Sequence, residues 1–338
     1  MSQIRVGING FGRIGRNAFK IAFERSDIEI IAVNDIADAK TLAYLLRHDS
    51  NYGNYKHEIT YSDGEITIAD KHIKVLSENN PANLPWGEMS VDLVIESTGF
   101  FTKVEDAQMH IQAGAKRVII SGPSQSKEVD TIVLGANEDD VEGSTQVISN
   151  ASCTTNSLGA LMAILDSEFG VIKSMVTTIH SYTSSQSLID SPAKDLRDGR
   201  NAADNIVPSS TGAAAAVIKT LPQLEGKFDG LSVRVPTSVV SLSDLTVLLG
   251  RETTVEEIND VLTRASKEPY YQGIFGVSNE PLVSRDYVGN SYSGVADLLL
   301  TKVVGGNMAK VMVWYDNEWG YSNRLVELVA DVGRSLRG

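Results

Sequence analysis

The sequence predicts an α/β protein in two parts, a first half on a mostly parallel sheet and an α+β second half on a mostly antiparallel sheet. Strand-like and helix-like segments alternate in the first half, and longer strand-like runs with few helices between them follow. The length of 338 residues fits about two domains of ordinary size. Alternating strands and helices favour parallel pairing through right-handed crossovers, whereas consecutive strands favour antiparallel pairing.

Buried strand-like runs and amphipathic segments make up the first half. Apolar residues recur at helical spacing over Arg13–Arg25, which predicts a helix there. The other predicted elements are strands over Ile4–Ile8, Ile28–Val33, Val91–Ile95, Val118–Ser121, Thr131–Leu134 and Val147–Ser149, and a helix over Val104–Ala113. A period of two within Tyr55–Val75, broken by Asp63 and Gly64, predicts an antiparallel hairpin attached to this sheet.

Long strand-like runs dominate the second half. The predicted strands are Ser174–Tyr182, Leu231–Pro236, Val239–Leu249 and Lys310–Tyr315, and the predicted helices are Thr154–Phe169, Val255–Lys267 and Ser322–Leu336. The segment 183–211 is polar and has little periodicity, which is typical of functional or interface loops. We therefore place a first domain at 1–151, completed by the C-terminal helix 318–338, and a second domain at 152–317 that includes this loop.

Composition excludes several classes of protein. Thirty Lys and Arg against 43 Asp and Glu give a net charge of −13, which disfavours nucleic acid or an anionic membrane as the main partner. The sequence has no long apolar run of a membrane span and no secretory signal, so a cytoplasmic location is expected. The single cysteine, Cys153, excludes an intrachain disulfide and a Cys-rich metal site, and no metal is expected.

A glycine-rich turn joins the first predicted strand to the first predicted helix. Gly10, Gly12 and Gly15 form the pattern G-x-G-x-x-G, and Asp35 follows the next strand. The glycines allow a tight turn, close approach of a pyrophosphate, and close packing of helix on strand, while the helix start attracts the pyrophosphate. Asp35 would bind ribose hydroxyls and repel a 2′-phosphate. This pattern predicts a Rossmann domain that binds NAD rather than NADP.

Cys153 lies where a predicted strand ends and a predicted helix begins. The helix dipole at such a position lowers the pKa of a thiol and favours a nucleophilic thiolate. The alternative is a small buried apolar residue without chemistry. Of the five histidines, His180 lies near the end of a second-half strand, and the other four lie in the first half. Cys153 and His180 are therefore a candidate nucleophile and base, whose proximity depends on the fold.

Six motifs resemble those of the glyceraldehyde-3-phosphate dehydrogenase family, in family order across essentially the whole chain. They are NGFGRIGR at 9–16, SNASCTTN at 149–156, HSYT at 180–183, SSTGAA at 209–214, RVPT at 234–237 and WYDNEWGYSN at 314–323. The resemblance implies a glycolytic and gluconeogenic oxidoreductase that converts glyceraldehyde 3-phosphate, phosphate and NAD to 1,3-bisphosphoglycerate and NADH. It also implies a homotetramer with the 183–211 loop in its interface.

The resemblance also implies roles for individual residues. Cys153 would attack the aldehyde and carry the acyl group as a thioester, while His180 would form an ion pair with the thiolate and take the hydroxyl proton. The cofactor-binding residues implied, besides Gly10, Gly12, Gly15 and Asp35, are Arg13, Ile14, Thr98, Ser121, Pro192, Asn317 and Tyr321. Pro192 would narrow the adenosine ribose pocket of a neighbouring subunit.

Two anion sites follow from the same resemblance. Thr183 and Arg234 would bind the substrate phosphate, with either Arg197 or Arg200 adding charge. The inorganic phosphate site implied consists of Ser152, Thr154, Thr211 and Gly212. The chain departs from the family pattern at Asn79, where many members have an arginine near the adenine, at Ser184-Ser185, where many bacterial members have Asn-Asp, and at Ala216, where a lysine is common.

Two other functions remain open at this point. The related erythrose-4-phosphate dehydrogenase shares the thiol and histidine but releases a free acid by hydrolysis. The phosphate-site match at 209–212 and Thr183 argue against it. A non-catalytic binding protein on the same fold is the other alternative, against which the Cys153 and His180 match and the net charge of −13 argue.

Overall fold

The computed structural model describes residues 3–337, which form two compact units. One unit contains the residues up to Ile132, the segment Asp139–Ala151 and the chain from Ser322 onward. The other contains Val133–Glu138 and Ser152–Tyr321. No helix within residues 3–337 is long and apolar enough to cross a membrane.

Eleven strands and three complete helices belong to the first unit. The strands are β1 (Ile4–Asn9), β2 (Ile28–Asn34), β3 (His48–Asp49), β4 (Gly53–Asn54), β5 (Ile59–Ser62), β6 (Glu65–Ile68), β7 (Lys71–Leu76), β8 (Leu93–Glu96), β9 (Arg117–Ile120), β10 (Asp130–Thr131) and β11 (Val147–Ser149). The helices are α1 (Arg13–Phe23), α2 (Ala39–Arg47) and α3 (Val104–Gln112). Nine of the strands form one sheet in the order β10-β11-β9-β8-β1-β2-β7-β6-β5, and β3 pairs with β4.

The pairing in this sheet confirms the predicted α/β architecture. Neighbouring strands from β10 to β7 are parallel, whereas β7, β6 and β5 pair antiparallel as the predicted hairpin. The central strands β1 and β8 are buried on both faces, as expected for parallel strands covered by helices. Trp86 packs against β1 at Gly7, where a Cβ atom would lie 2.8 Å from the indole ring.

Eight strands belong to the second unit. They are β12 (Val171–Ser181), β13 (Val207–Ser209), β14 (Phe228–Val235), β15 (Ser241–Leu249), β16 (Phe275–Ser278), β17 (Gly294–Asp297), β18 (Lys302–Val304) and β19 (Met308–Tyr315). Seven form the order β13-β14-β12-β15-β19-β17-β16, and β18 pairs with β19. Five of the pairs are antiparallel, which confirms the predicted mostly antiparallel sheet, but β12/β14 and β16/β17 are parallel.

Helices cover one face of this second sheet. They are α4 (Cys153–Phe169), α5 (Ala213–Thr220) and α6 (Val255–Ala265), and α7 (Trp319–Ser335) begins in this unit and continues into the first. Most of α4 is buried, and it packs against β15, β17 and β19. Helix α5 lies in the connection from β12 to β14, which allows these two strands to run parallel.

Candidate active site and cofactor pocket

Cys153 and His180 come together in the second unit. Cys153 is the first residue of α4, and the Ser152 hydroxyl caps this helix by accepting the Thr155 N–H at 3.1 Å. His180 lies near the end of β12 and is 3% exposed. The Cys153 Sγ atom is 3.4 Å from His180 Nε2. The two candidates for nucleophile and base are therefore in direct contact.

Arg234 lies beside His180 because β12 and β14 pair parallel with these two residues in register. Its Nη1 atom is 2.6 Å from His180 Nδ1 and 3.4 Å from the Ser181 carbonyl oxygen. The Nε atom of Arg234 is buried without a hydrogen-bond partner, and no carboxylate within residues 3–337 pairs with the guanidinium. The side chain thus holds a positive charge at the site that nothing else in the described chain neutralises.

Burial and this charge set the protonation of the pair. Burial, followed by the Arg234 charge, lowers the pKa of His180 to about 3. Burial raises the pKa of the Cys153 thiol above its ordinary value, although Arg234 and the N–H groups at the start of α4 act in the opposite direction. The helix start thus acts in the predicted direction, but desolvation of the thiolate outweighs it, so the pKa of the thiol is raised overall. Both shifts favour a thiol beside a neutral imidazole, and the ion pair that the resemblance implies stays a prediction.

Tyr315 packs against His180 and so adjoins the Cys153 and His180 pair. Its ring meets the His180 imidazole edge to face at 6.0 Å between centroids. Its hydroxyl lies 2.9 Å from Thr154 Oγ1 and 2.7 Å from Thr178 Oγ1. Thr154 is 4% exposed and its hydroxyl bonds to Tyr315, and its place in the phosphate site stays a prediction.

Asn317 is fixed by two serine hydroxyls. Ser181 Oγ donates to its Oδ1 atom at 3.0 Å, and Ser241 Oγ donates to the same atom at 3.1 Å. These bonds set the orientation of the amide, and Nδ2 has no hydrogen-bond partner within the described residues. Tyr321, four residues further along, is 4% exposed in the first turns of α7.

The remaining predicted anion-binding residues lie at helix starts and in the long loop. Thr211 and Gly212 precede α5, and the Thr211 hydroxyl accepts the Ala213 N–H at 3.2 Å. Thr183 is half-buried and hydrogen-bonds within the loop to Ser185 and Gln186. In the same loop Arg200 pairs with Asp190 at 3.1 Å, which leaves the exposed Arg197 as the better candidate for an additional cation.

The glycine-rich turn opens onto a cavity of about 350 Å³ in the first unit. The lining residues are Asn9, Gly10, Gly12, Asn34, Asp35, Ile36, Glu78, Asn79, Ser97, Thr98, Phe100 and Phe101. Gly10 has φ +88, and a Cβ atom there would lie 2.5 Å from the Thr98 nitrogen, so glycine is required. A Cβ atom on Gly15 would lie 2.1 Å from the Gly10 oxygen, as expected for close packing of α1, whereas Gly12 faces open space.

Asp35 is held in the wall of this cavity. Its Oδ2 atom accepts the Phe11 N–H at 2.7 Å, and Oδ1 accepts the Ala37 N–H at 3.1 Å. A rigid carboxylate beside an uncovered glycine turn fits the adenosine end of NAD. Five predicted cofactor-binding residues of this chain do not line the cavity: Arg13, Ile14, Gly15, Ser121 and the exposed Pro192. Arg13 instead forms an ion pair with Asp49 at 2.7 Å.

Eight of the twelve lining residues are not among the predicted cofactor-binding residues, and three of them illustrate why. Asn9 and Asn34 end the buried strands β1 and β2, and Phe100 follows β8 with 82% of its surface exposed. A polar residue directly after an apolar parallel strand is the signal that could have identified the asparagines, because ligands bind at the carboxyl ends of such strands. Within residues 3–337, no group of three or more His, Cys, Asp or Glu side chains could hold a metal ion.

Comparison with known proteins gives two family matches. Residues 4–104 match the model of the NAD binding domain of glyceraldehyde 3-phosphate dehydrogenase, and residues 152–317 match that of its C-terminal domain. The chain is 51% identical to glyceraldehyde-3-phosphate dehydrogenase 2 of Streptomyces avermitilis, covering 98% of this chain and 99% of the relative. It is 51% identical to glyceraldehyde-3-phosphate dehydrogenase of Geobacillus stearothermophilus, with 97% of each covered. Identity to glyceraldehyde-3-phosphate dehydrogenase 1 of Bacillus subtilis is 50%, with 98% of each covered.

Proposed function

This chain belongs to the glyceraldehyde-3-phosphate dehydrogenase family, and from that premise we propose that it oxidises glyceraldehyde 3-phosphate to 1,3-bisphosphoglycerate with inorganic phosphate. It is an NAD-dependent oxidoreductase. The observation that carries the proposal is the 3.4 Å contact between Cys153 Sγ and His180 Nε2 at the start of α4. This geometry is typical of a nucleophile beside its base.

The first step is addition of Cys153 to the aldehyde. His180 Nε2 takes the thiol proton while Sγ attacks the carbonyl carbon. This step needs the imidazole proton on Nδ1, where the Ser181 carbonyl oxygen at 2.7 Å accepts it once Arg234 Nη1, 2.6 Å away, has turned to the substrate phosphate. The backbone N–H groups at the start of α4, which act on the Cys153 sulfur in the structure, would stabilise the oxygen that becomes negative. His180 then returns the proton to that oxygen, which gives a hemithioacetal.

Oxidation and phosphorolysis follow on the same sulfur atom. Bound NAD supplies the hydride acceptor. His180 takes the hydroxyl proton as the hemithioacetal loses hydride, which leaves an acyl thioester on Cys153. Inorganic phosphate attacks the acyl carbon, the Cys153 thiolate leaves, and the acyl phosphate is released.

Arg234 links substrate binding to this proton chemistry. Its guanidinium has only neutral atoms within hydrogen-bond reach, so a substrate phosphate would be its first anionic partner among the described residues. An arginine fork suits a phosphate because several charge-assisted hydrogen bonds form at once. A phosphate that draws Nη1 from His180 also removes the cation that disfavours a protonated imidazole. Thr183 completes the proposed substrate phosphate site, and the proposed inorganic phosphate site consists of Ser152, Thr154, Thr211 and Gly212.

Cofactor binding is proposed for both groups of residues expected from the sequence. Gly10, Gly12, Asp35 and Thr98 line the cavity, which supports their role directly. Arg13, Ile14, Gly15 and Ser121 would act from the surrounding turn and strand ends. The free Nδ2 atom of Asn317 supports its proposed bond to the nicotinamide carboxamide.

A two-domain organisation stays part of the proposal, with cofactor binding in 1–151 plus the C-terminal segment 318–338 and catalysis in 152–317. So does a homotetramer. The uncovered face of the second sheet exposes Met175, Leu231 and Met308 by 59%, 43% and 44%. The 183–211 loop exposes Leu188, Ile189, Leu196 and Ile206 by more than two thirds. Apolar surface of this extent is typical of subunit interfaces.

We also propose that the enzyme works in the cytoplasm, since its nucleophile is a free thiol that must stay reduced.

The test is the rate of NADH formation from glyceraldehyde 3-phosphate with and without phosphate. We expect turnover to require phosphate and to be lost in Cys153→Ser. Steady NADH formation that does not depend on phosphate would indicate hydrolysis of the thioester instead. A protein whose Cys153 reacts with iodoacetamide but which does not reduce NAD even before labelling would indicate a binding protein.

A further inference from the structure

A buried polar network beside the cofactor pocket takes no part in the chemistry above. It consists of Glu96, His110, Trp86, Asn9 and Asn34, and we call it the Glu96 network. Glu96 and Asn9 are 1% exposed, His110 and Trp86 0%, and Asn34 4%. An ionisable group at this depth is costly unless its hydrogen bonds are complete, so each contact has to be accounted for.

One arm of the network runs from Trp86 through His110. Trp86 Nε1 lies 3.0 Å from His110 Nδ1, and an indole N–H can only donate. His110 Nδ1 therefore carries no proton, the imidazole is neutral, and its single proton is on Nε2. That nitrogen lies 3.0 Å from Glu96 Oε2 and donates to it. A second proton on His110 would set two N–H groups against each other at Trp86.

The other arm runs through two amides. The backbone N–H of Glu78 donates to Asn34 Oδ1 at 2.8 Å, Asn34 Nδ2 donates to Asn9 Oδ1 at 2.7 Å, and Asn9 Nδ2 donates to Glu96 Oε2 at 2.6 Å. A backbone N–H can only donate, so it fixes the orientation of both amides in turn. Each arm thus starts at an N–H group that cannot accept a hydrogen bond and ends at the same carboxylate oxygen, Glu96 Oε2.

The second carboxylate oxygen holds the loop after β8. Glu96 Oε1 accepts the Thr98 backbone N–H at 2.8 Å and also the Thr98 hydroxyl, which itself accepts the Phe100 N–H at 3.1 Å. All four neighbours of the carboxylate therefore donate to it. This set of donors stabilises an ionised Glu96 whose charge is balanced by dipoles rather than by a cation.

The network reaches the cofactor pocket at the ends of β1 and β2 and, through Thr98, at the loop after β8. Asn9, Asn34 and Thr98 all line the cavity. Thr98 also supports the glycine turn, because the Gly10 Cα packs against the Thr98 nitrogen too closely for any Cβ atom. A shift of Glu96 would therefore move the walls of the pocket on β1, β2 and the loop after β8 together.

We propose that Glu96 is a positioning residue for NAD, a buried double acceptor that orients Asn9, Asn34 and Thr98 through the Glu96 network. NAD affinity then depends on both carboxylate oxygens accepting, whereas the thiol chemistry of Cys153 does not. This rests on the assignment of the cavity as the cofactor pocket.

Glu96→Gln tests the proposal because it replaces one acceptor by an NH₂ group and keeps the size of the side chain. An NH₂ group at the Oε1 position would oppose the Thr98 backbone N–H. At the Oε2 position it would oppose donors from His110 and Asn9, neither of which can reverse without breaking a bond at Trp86 or Glu78. We expect the Kd for NAD, measured by isothermal titration calorimetry, to rise about tenfold, as for one opposed buried hydrogen bond. The KM for NAD should rise equally, with kcat at saturating NAD nearly unchanged.

A pair of substitutions at His110 separates the network from mere packing. The amide nitrogen of His110→Gln can reach the position of Nε2 and still donate to Glu96, whereas that of His110→Asn is too short to do so. We expect His110→Asn to raise the Kd for NAD several-fold and His110→Gln to bring it back towards that of the wild type. Val94→Ala, two residues before Glu96 on β8 and packed in the same core as Trp86, is the control for a loosened core. It should lower the melting temperature and leave the Kd for NAD unchanged.

The outcomes are distinct. A Glu96→Gln protein that binds NAD within about twofold of the wild type overturns the proposal, as does a His110→Gln protein as weak as His110→Asn. Equal loss of affinity in Val94→Ala overturns it too, because packing would then suffice. If the wild-type protein itself binds no NAD, the assignment of the pocket fails first. The His110 pair decides the matter if Glu96→Gln does not fold.

Discussion

Replacement of Arg234 by leucine should separate phosphorylated from unphosphorylated substrates. The guanidinium has no carboxylate partner within residues 3–337, so no carboxylate competes with a bound phosphate for the charge-assisted hydrogen bonds of Arg234. Such bonds contribute about 1.5–3 kcal/mol each, so we expect loss of about 2–4 kcal/mol, or about 30- to 1000-fold in kcat/KM for glyceraldehyde 3-phosphate. Unphosphorylated glyceraldehyde has no phosphate to pair with Arg234, so its kcat/KM should change little.

The same substitution should move the acid limb of the pH profile. His180 acts as a base only when unprotonated, so activity is lost as pH falls through its pKa. Arg234 helps hold that pKa at about 3, and removing the charge raises it, while burial keeps it below its ordinary value. With glyceraldehyde as substrate, the limb of Arg234→Leu should therefore lie at higher pH than that of the wild type.

The assay is NADH formation followed by absorbance, with both substrates and a series of buffers. Arg264→Leu on α6 is the matched control, since Arg264 is an exposed arginine paired with Glu168 at 2.8 Å. It should change neither kcat/KM nor the pH profile. Equal losses with both substrates in Arg234→Leu, or an acid limb that stays in place or moves to lower pH, would refute the reasoning.

Three further predictions follow from the same geometry. Asp35→Gly should raise the ratio of kcat/KM for NADP to that for NAD about tenfold or more, because a carboxylate fixed in the pocket wall no longer repels the 2′-phosphate; an unchanged ratio would remove Asp35 from this role. Tyr315→Phe should lower the free energy of unfolding, measured by urea denaturation, by about 2 kcal/mol, because the buried hydroxyls of Thr154 and Thr178 lose their shared hydrogen-bond partner. A decrease of less than about 0.5 kcal/mol would contradict this. Because burial raises the pKa of the Cys153 thiol, alkylation by iodoacetamide in the absence of ligands should accelerate about tenfold per pH unit from about pH 6 to about pH 8, and a plateau in that range would indicate an ion pair.

Much of the fold follows from sequence pattern, because period and turn chemistry are local. The strand β1, the glycine turn and α1 appear where predicted, and so does the hairpin broken by Asp63 and Gly64. Helix α2 was not predicted, although Asp38 caps it by accepting the Thr41 N–H. Its buried residues Ala39, Leu42, Ala43 and Leu46 follow helical spacing, but the exposed apolar Tyr44 and Leu45 obscure this stripe in the sequence.

The sequence identifies candidate residues for the site but not how deeply the fold buries them. Motifs and strand ends identify Cys153, His180 and Asp35 individually, whereas their contacts come from pairing across many residues of chain. The thiol pKa illustrates the limit. The helix start is visible in the sequence and suggests a lowered value, but the depth of burial that reverses the direction depends on how the sheet and α4 pack.

The parallel direction of β12 and β14 brings His180 and Arg234 together in the second unit. The run of strand-like segments there suggests antiparallel neighbours, yet β12 and β14 are parallel, with His180 opposite Arg234. Antiparallel pairing of the same strands would send their carboxyl ends to opposite edges of the sheet and separate the base from the cation. Parallel pairing instead places both ends, and the segments that begin at Thr183 and Thr237, at one edge. The connection through α5 permits this parallel direction, and Thr211 and Gly212 lie in it, directly before α5. The same topology therefore supplies the base, the cation and the helix start that we propose as an anion site.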